Sequence, residues 1–331
     1  MASSSLKVIA VVGATGNQGS SRARTFRSLP GRHVRAVARY LSSQKAGELR
    51  VLGAELVRAD LSDIASQVLA FGNSHAIFLN TDFWETYRSV GTGSGLTPLA
   101  CSRAAYEKEV FYGKNAAIAA ACVLSLERLV YSSLASIKAA SNGKHSRSYH
   151  PESMAAIVSY IEAEEPALAK KMSIVIPAGY STNPMFRPTL DPKSGQYIVV
   201  TALDRGCKMP ILDPSEAMRP FVRALIEDEE PGTKLLAYNE DSFLSFEEIV
   251  QAWTDMTGKK VQIVRMNPKD LHEQLNLPWE LLDAINFVNE HGYDYVLARE
   301  GIIQPRQLSN PPKTKSYKVW WKRKPMEALL G

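Results

Sequence analysis

Hydrophobic positions along the chain fall into short runs that alternate with longer segments of helical composition. Apolar, β-branched runs predict strands at 7–12, 33–39, 55–58, 75–80, 127–132 and 172–177. The segments between them predict helices at 18–29, 42–52, 62–71, 106–124 and 151–165. This alternation is typical of βαβ units and of a parallel sheet with right-handed crossovers. Several strands are apolar at nearly every residue, as expected where helices cover both faces of the sheet.

Two segments interrupt this alternation. Residues 86–105 contain SVGTGSGLTP and predict a long loop, and residues 139–150 predict a polar, basic connection. Beyond Tyr180 the pattern predicts a smaller α/β unit, with strands at 195–203, 234–238 and 260–266 and helices at 215–228, 245–257, 267–275 and 278–290. The predicted fold class is therefore α/β: a Rossmann-type doubly wound parallel sheet with a smaller C-terminal α/β satellite domain. The predicted domains are 1–185, 186–303 and a basic tail, 304–331.

The first strand runs into a glycine-rich turn, GATGNQG. In a turn from strand to helix beneath a pyrophosphate, the first glycine allows the tight turn, the second lets the backbone approach the phosphate, and the third lets the helix pack closely. The free N–H groups and the helix dipole then favour the phosphate charge. A strand precedes this turn and a helical segment follows it, so it predicts a dinucleotide site at Gly13, Ala14, Thr15, Gly16, Asn17, Gln18 and Gly19.

The residue that closes the second strand indicates which dinucleotide is bound. An NAD site usually has an acidic residue there, which accepts a hydrogen bond from the ribose 2′-hydroxyl. Here the strand HVRAVAR closes with Arg39, whose guanidinium can pair with a 2′-phosphate. The sequence therefore favours NADP(H) over NAD(H). Asp60, after the third strand, is predicted either to contact adenine or to cap the next helix, a role that Ser62 or Asp63 could fill equally well.

Composition and charge exclude several classes of protein. The three cysteines form no CxxC pair and no metal-binding spacing with the six histidines, so neither a disulfide framework nor a metal site is predicted. No apolar run approaches the ~18 residues that span a membrane. The net charge of +5 is concentrated in the tail, which has seven basic residues against one acidic residue from Gln304 onward. Trp320 and Trp321 are expected to dock on the body, so direct nucleic-acid binding is not expected.

The ordered set of motifs resembles the NmrA-like family, atypical members of the short-chain dehydrogenase superfamily, and the tail resembles that of fungal members. The resemblance covers roughly residues 6–290 and rests on VVGATGNQGSS, VRAVAR, GAELVRADLSD, AIFLNTDFWE, YGKNAAIAAA, LERLVYSSL and SYHPESMAAIVSYI. It implies a Rossmann body with a cofactor groove. By position, the implied cofactor residues are the glycine turn, Arg39, Asp60, Leu61, Thr81, Asp82, Phe83, Met154, and the stretch from Ala178 through Tyr180 to Asn183.

The chain departs from the family pattern on the nicotinamide side. Many relatives have lysine where this chain has Met154, and a second cofactor-contacting lysine of some relatives falls at Phe111. The Tyr-x-x-x-Lys dyad, in which lysine keeps tyrosine acidic enough to donate a proton, is absent from the relevant region. Tyr131, Tyr149 and His150 are the remaining candidate proton donors.

Two functions follow from this interpretation. The first is an NADP(H)-binding, redox-responsive regulator that acts through protein–protein contacts, as the family includes NADP(H)-sensing regulators. The second is an NADPH-dependent oxidoreductase that reduces a small carbonyl or enone substrate with a non-standard proton donor. A protein partner or a small substrate would occupy the groove between the domains. The expected compartment is the cytoplasm, together with the nucleus for a regulator.

Overall fold

A computed structural model describes residues 6–15, 31–299 and 301–330. Its strands are β1 Lys7–Val12, β2 Arg32–Ala38, β3 Glu55–Arg58, β4 Ala76–Leu79, β5 Arg128–Ser132, β6 Met172–Pro177, β7 Gly179–Tyr180, β8 Thr189–Leu190, β9 Tyr197–Thr201, β10 Lys208–Leu212, β11 Lys234–Ala237, β12 Phe243–Ser245, β13 Val261–Arg265 and β14 Ile302–Ile303. The helix predicted at 18–29 lies outside the described residues.

The α-helices of the described chain are α1 Gln44–Val51, α2 Ile64–Phe71, α3 Phe83–Gly91, α4 Pro98–Ala121, α5 Ile137–Ala140, α6 Tyr149–Glu164, α7 Pro166–Ala169, α8 Met218–Glu227, α9 Phe246–Thr257, α10 Pro268–Leu275, α11 Trp279–His291, α12 Asp294–Leu297, α13 Tyr317–Trp321 and α14 Met326–Leu330. Two short 3-10 helices lie at Pro184–Phe186 and Pro305–Gln307.

Eight strands form one parallel sheet in the order β14-β11-β6-β5-β4-β1-β2-β3. The six strands predicted in the first half are confirmed to within a residue or two at each end. Successive residues of β1 point to opposite faces, so Ile9 and Val11 enter one apolar core while Ala10 and Val12 enter the other. This burial on both faces explains why the strands are apolar throughout. The strand order reverses between β1 and β4, where folds of this kind bind nucleotides.

The predicted long loop at 86–105 is wrong. Helix α3 continues to Gly91, and α4 begins at Pro98, so the connection is only 92–97. Thr97 accepts a hydrogen bond from the Ala100 N–H and caps α4, and proline is favoured in the first turn of a helix. The glycines and the proline therefore mark one short joint and a helix start, rather than a loop of twenty residues.

Two three-stranded sheets form the smaller part of the fold, in the orders β12-β10-β7 and β13-β9-β8. Trp253 of α9 lies at the centre of their apolar core. However, β11 and β14 pair into the large sheet, and α8 packs Phe221 and Leu225 into the same core as Val11. The chain thus returns to the large sheet within 186–303, and the predicted domain boundary remains a prediction.

The tail packs on this smaller core. Tyr317, Trp320 and Trp321 are all buried there, and the Trp253 indole N–H donates to the Leu329 carbonyl oxygen at 3.2 Å. The expected docking of the two tail tryptophans is confirmed. Within the described residues, we find no helix that combines the length and apolarity required to cross a bilayer.

Candidate functional site

The glycine turn begins where β1 ends, at the switch point of the large sheet. Gly13 has φ +65°, in the left-handed region that glycine adopts without strain. Ala14 is buried, and its N–H donates to the Val37 carbonyl oxygen of β2 at 3.2 Å. The turn is therefore anchored to the neighbouring strand at its first residues. The predicted phosphate-binding residues Gly16, Asn17, Gln18 and Gly19 lie outside the described residues.

Arg39 directly follows β2 at the same edge of the sheet. Its Nη2 lies 2.5 Å from Oε1 of Glu85, which belongs to the first turn of α3, and both side chains are partly exposed. Such a pair contributes little stability, so the guanidinium can exchange Glu85 for another anion at small cost. Sequence reasoning did not identify Glu85, because forty-six positions separate it from Arg39.

Asp60 follows β3 near Arg39. The hydroxyl of Ser62 donates to Asp60 Oδ1 at 2.6 Å and its backbone N–H donates to the same atom at 2.8 Å, which lowers the pKa of Asp60. Asp63 caps α2 by accepting from the Ser66 N–H. The alternative of Asp60 as the helix cap is therefore wrong, and its carboxylate remains beside Arg39 as an anion. The Leu61 carbonyl oxygen is occupied by the Asn115 amide at 2.9 Å.

Residues 80–84 carry the chain from β4 into α3. Asp82 caps α3 by accepting from the Glu85 N–H at 3.0 Å, and Phe83 is buried. Thr81 is also buried, and its hydroxyl lies 3.4 Å from the hydroxyl of Tyr131 at the end of β5. The structure thus brings Thr81, Asp82 and the candidate Tyr131 to one place, at the carboxyl ends of adjacent strands.

Tyr131 lies in a closed environment. Burial, together with the nearby Glu109 carboxyl, raises the pKa of Tyr131 well above its usual range. Glu109 of α4 is itself buried, and it accepts a hydrogen bond from the Ser153 hydroxyl of α6. Burial raises the pKa of Glu109 to about 7. Sequence reasoning missed Glu109, which stands among charged neighbours on a helix and resembles a solvated residue.

His150 occupies the first turn of α6 and is held by Glu280 from α11. Its Nδ1 lies 2.8 Å from Glu280 Oε1, and its ring packs against the ring of Trp84 with centroids 5.2 Å apart. The backbone N–H groups of Tyr149 and His150 also donate to the Glu280 carboxylate, each at 2.9 Å. Burial by itself would raise the pKa of Glu280, but the hydrogen bonds and charge of His150 outweigh it and hold that pKa below its usual range.

The remaining predicted residues lie around this centre. Tyr149 accepts a long hydrogen bond from Nε of Arg103 at 3.4 Å, and Met154 follows Ser153 on α6 and is half-buried. Tyr180 is half-buried in β7, which follows β6 after Ala178. Asn183 caps the 3-10 helix by accepting from the Met185 N–H, so its side chain already has a structural role.

This fold and the turn at its switch point define a Rossmann-type protein. The NmrA-like family is matched across residues 5–328, and the chain belongs to that family. A curated relative, the NmrA-like family domain-containing oxidoreductase malD of Malbranchea aurantiaca, is 26% identical over 270 residues, which is 78% of this chain and 76% of the relative.

Solved structures share the fold at low sequence identity. NmrA, a negative transcriptional regulator in complex with NADP, has a TM-score of 0.67 and 19% identity, covering 98% of this chain and 94% of NmrA. The same regulator has also been solved with NAD. Leucoanthocyanidin reductase from Vitis vinifera, in a binary complex with NADPH, has a TM-score of 0.69 and 12% identity, covering 95% of this chain and 97% of the reductase.

Proposed function

We propose that this chain binds NADP(H) at the carboxyl edge of the large sheet and acts as a nucleotide-responsive regulator through contacts with another protein. The observation that carries the nucleotide choice is Arg39, which follows β2 and pairs with the exposed carboxylate of Glu85. A 2′-phosphate can replace that carboxylate by charge-assisted, bidentate hydrogen bonds. The fold neighbours that hold NADP or NADPH support this proposal.

The remaining lining of the nucleotide site is proposed by position. Residues 13–19 would hold the pyrophosphate, and Asp60 with Leu61 would border the adenine. Thr81, Asp82 and Phe83 after β4, together with Met154 and the Tyr180–Asn183 segment, would border the nicotinamide half. Met154 can neither donate a hydrogen bond nor supply a charge there, in contrast to lysine.

The preference for a regulator rests on the proton-donor side of the groove. The Tyr-x-x-x-Lys dyad is absent from the sequence, and the buried Tyr131 has its pKa raised rather than lowered. A general acid works best when its pKa lies near the working pH, so this tyrosine is a poor donor. We therefore expect the chain to bind a nucleotide but to lack the proton donor with which reductases of this superfamily usually act.

Calorimetric titration with NADPH, NADP⁺, NADH and NAD⁺ tests the nucleotide proposal. We expect Arg39→Ala to weaken NADP(H) binding at least about tenfold and to leave NAD(H) binding unchanged. Arg50→Ala is the matched control, because Arg50 is an exposed arginine in the last turn of α1. Equal affinity for all four nucleotides, unaffected by Arg39→Ala, contradicts the proposal.

The regulatory part predicts that nucleotide binding changes a surface that a partner can read. Helix α3 is the candidate, because it begins at the proposed nicotinamide border and ends in the exposed connection 92–97. We expect NADP(H) to slow amide hydrogen exchange in residues 83–97, whereas α10 on the smaller part of the fold should not change. Unchanged exchange in 83–97 at saturating nucleotide contradicts a regulatory role for this surface.

A reductase is the second candidate, and the His150–Glu280 pair favours it. A carboxylate on Nδ1 orients the imidazole, so Nε2 of a protonated His150 can give a proton to a substrate oxygen. NADPH, when bound, would supply the hydride that reduces the carbonyl carbon. We expect substrate-dependent NADPH oxidation with small ketones, aldehydes or enones that His150→Gln abolishes. If the protein is a regulator without enzymatic activity, no substrate stimulates NADPH oxidation, and Met154→Lys does not change that rate.

A further inference from the structure

His145, Glu290 and His291 bring three potential metal ligands together on the side of α11 that faces the 141–148 connection. Their ligand atoms all lie within 4.8 Å of one another. Nε2 of His145 is 3.0 Å from Glu290 Oε2, and Nε2 of His291 is 3.7 Å from Glu290 Oε1. The spacing along the chain gave no sign of this group, because His145 is 145 positions from Glu290.

The surroundings of Nδ1 of His145 indicate that Nε2 is the nitrogen that would bind a metal. Nδ1 of His145 lies 3.5 Å from Oδ1 of the buried Asp283. Asp283 is fixed in turn by Arg147, whose backbone N–H donates at 2.8 Å and whose guanidinium donates at 3.2 Å. Metal-binding histidines are commonly oriented by a carboxylate beside the ring nitrogen that does not bind the metal, and Asp283 lies on that side of His145.

Two further features favour a cation at this place. Nδ1 of His145 lies 3.5 Å from the Asp283 carboxylate and Nε2 lies 3.0 Å from the Glu290 carboxylate, so acidic groups flank this imidazole on both sides and favour a positive charge here. Nε2 of His291 is buried, and within the described residues no group forms a hydrogen bond with it. Glu290 and His291 also end α11, where the carbonyl end of the helix dipole favours positive charge.

A lysine already occupies part of this cation environment. The ammonium of Lys144 lies 2.7 Å from both carboxylate oxygens of Glu290, and the Lys144 side chain is largely exposed. The ammonium can therefore turn away into water when a stronger cation arrives. Lys144 and a metal ion would then compete for the same carboxylate.

We propose that His145, Glu290 and His291 form a binding site for a divalent late first-row transition metal, with Zn²⁺ as the best fit. Two imidazole nitrogens and one carboxylate, completed by water, match the mixed donors and four-coordinate geometry of zinc. Mg²⁺ and Ca²⁺ prefer oxygen donors alone and are expected to bind poorly. The bound ion would fasten the 141–148 connection to α11, directly before Tyr149 and His150. This site is independent of the proposed nucleotide function.

Zinc titration of tag-free, metal-stripped protein against a chromophoric chelator tests this site. We expect one Zn²⁺ per chain and no comparable binding of Mg²⁺. His291→Ala and Glu290→Gln should each weaken binding at least about tenfold. Lys144→Ala should bind as tightly as the original protein or more tightly, because it removes the competing ammonium. His33→Ala is the matched control, because His33 lies on β2 in the large sheet and pairs with Glu55.

Two further readouts separate this site from adventitious binding. Co²⁺ in place of Zn²⁺ should give the visible d–d bands of a four-coordinate site, without the near-ultraviolet thiolate band that a cysteine ligand such as the exposed Cys122 would produce. Zn²⁺ should raise the Tm of the original protein and of His33→Ala, but not that of His291→Ala. The proposal is overturned if zinc uptake is not saturable, or if His291→Ala and Glu290→Gln bind zinc as tightly as the original protein does.

Discussion

Ser153 donates a hydrogen bond to Glu109 across the contact between α6 and α4, and both side chains are almost completely buried. One turn further along both helices, Gly113 meets Ile157. The close helix contact and the buried carboxyl are thus parts of one interface. That interface lies behind Tyr131 and Thr81, at the edge of the sheet where the nucleotide is proposed to bind.

The buried carboxyl of Glu109 predicts a pH-dependent stability. Its pKa is about 7 in the folded chain, whereas the ordinary value is 4.5. Between these values the folded state holds the proton and the unfolded state has released it, so stability falls as pH rises through this interval. Glu109→Gln removes this ionisation. Between pH 4.5 and pH 8 we therefore expect the free energy of unfolding of the variant to rise relative to that of the original protein by up to about 3 kcal/mol.

Urea unfolding at several pH values measures this difference. Glu107→Gln is the matched control, because Glu107 lies on the same helix but is exposed. We expect that control to follow the original protein across the whole range. If the stabilities of Glu109→Gln and the original protein change in parallel with pH, Glu109 is not the titrating group.

The contact of Gly113 with Ile157 predicts that any side chain at position 113 lowers the stability of the fold. A Cβ on Gly113 would lie 2.3 Å from Cδ1 and 2.5 Å from Cγ1 of Ile157. Overpacking of this kind costs about 1–3 kcal/mol, more than the ~1 kcal/mol that alanine gains over glycine in a helix. We therefore expect Gly113→Ala to lower the free energy of unfolding and to weaken nucleotide binding through the displaced helices.

Gly47→Ala provides the control for this substitution. Gly47 lies in α1, and nothing lies within 4 Å of a Cβ built there. Only the higher helix propensity of alanine then acts, so we expect the free energy of unfolding to rise by up to about 1 kcal/mol. Chemical unfolding of both variants gives the comparison, and an equal stabilisation of the two would show that Ile157 adjusts without cost.

Local signals predicted much of the fold but less of the site. Strand β1 and the turn at Gly13 were predicted because burial on both faces and the left-handed glycine both leave marks in the sequence. The predicted loop at 86–105 is wrong because glycine favours loops only as a general tendency, whereas Thr97 followed by Pro98 starts a helix. The Glu109–Ser153 bond depends on how two helices pack, and no spacing within either helix predicts it.

Glu280 predicts a large loss of stability when its charge is removed. Its two oxygens accept from the backbone N–H groups of Tyr149 and His150 and from the His150 ring. The amide of glutamine has one accepting oxygen, so Glu280→Gln leaves at least one partly buried donor facing an amide NH₂ group instead of an acceptor. We expect a loss of about 2–4 kcal/mol at pH 7, measured by urea unfolding.

The pH dependence of this contribution has the opposite sign to that of Glu109. The folded-state pKa of Glu280 lies below its usual range, so its contribution is present at neutral pH. It is lost as the pH falls from the ordinary glutamate pKa towards the folded value. Glu273→Gln is the control, because Glu273 forms an exposed pair with Lys269 and should change stability by less than ~0.5 kcal/mol. Similar losses in the two variants would mean that the N–H groups of Tyr149 and His150 find other partners.

Glu85 predicts a change in nucleotide selectivity. Its Oε1 lies 2.5 Å from the Arg39 guanidinium, where it competes with a 2′-phosphate for the same N–H groups and repels the phosphate charge. Glu85→Gln keeps the shape of the side chain, removes the repulsion of the phosphate, and leaves a neutral amide oxygen that competes less strongly for the guanidinium. We expect it to strengthen NADP⁺ binding by roughly three- to tenfold while NAD⁺ binding stays the same, as an exposed charge pair permits. Calorimetry at low and high salt measures this ratio, and the gain should shrink as salt screens the repulsion. An equal change for NAD⁺ and NADP⁺ would mean that the Glu85 side chain does not act on the 2′-phosphate.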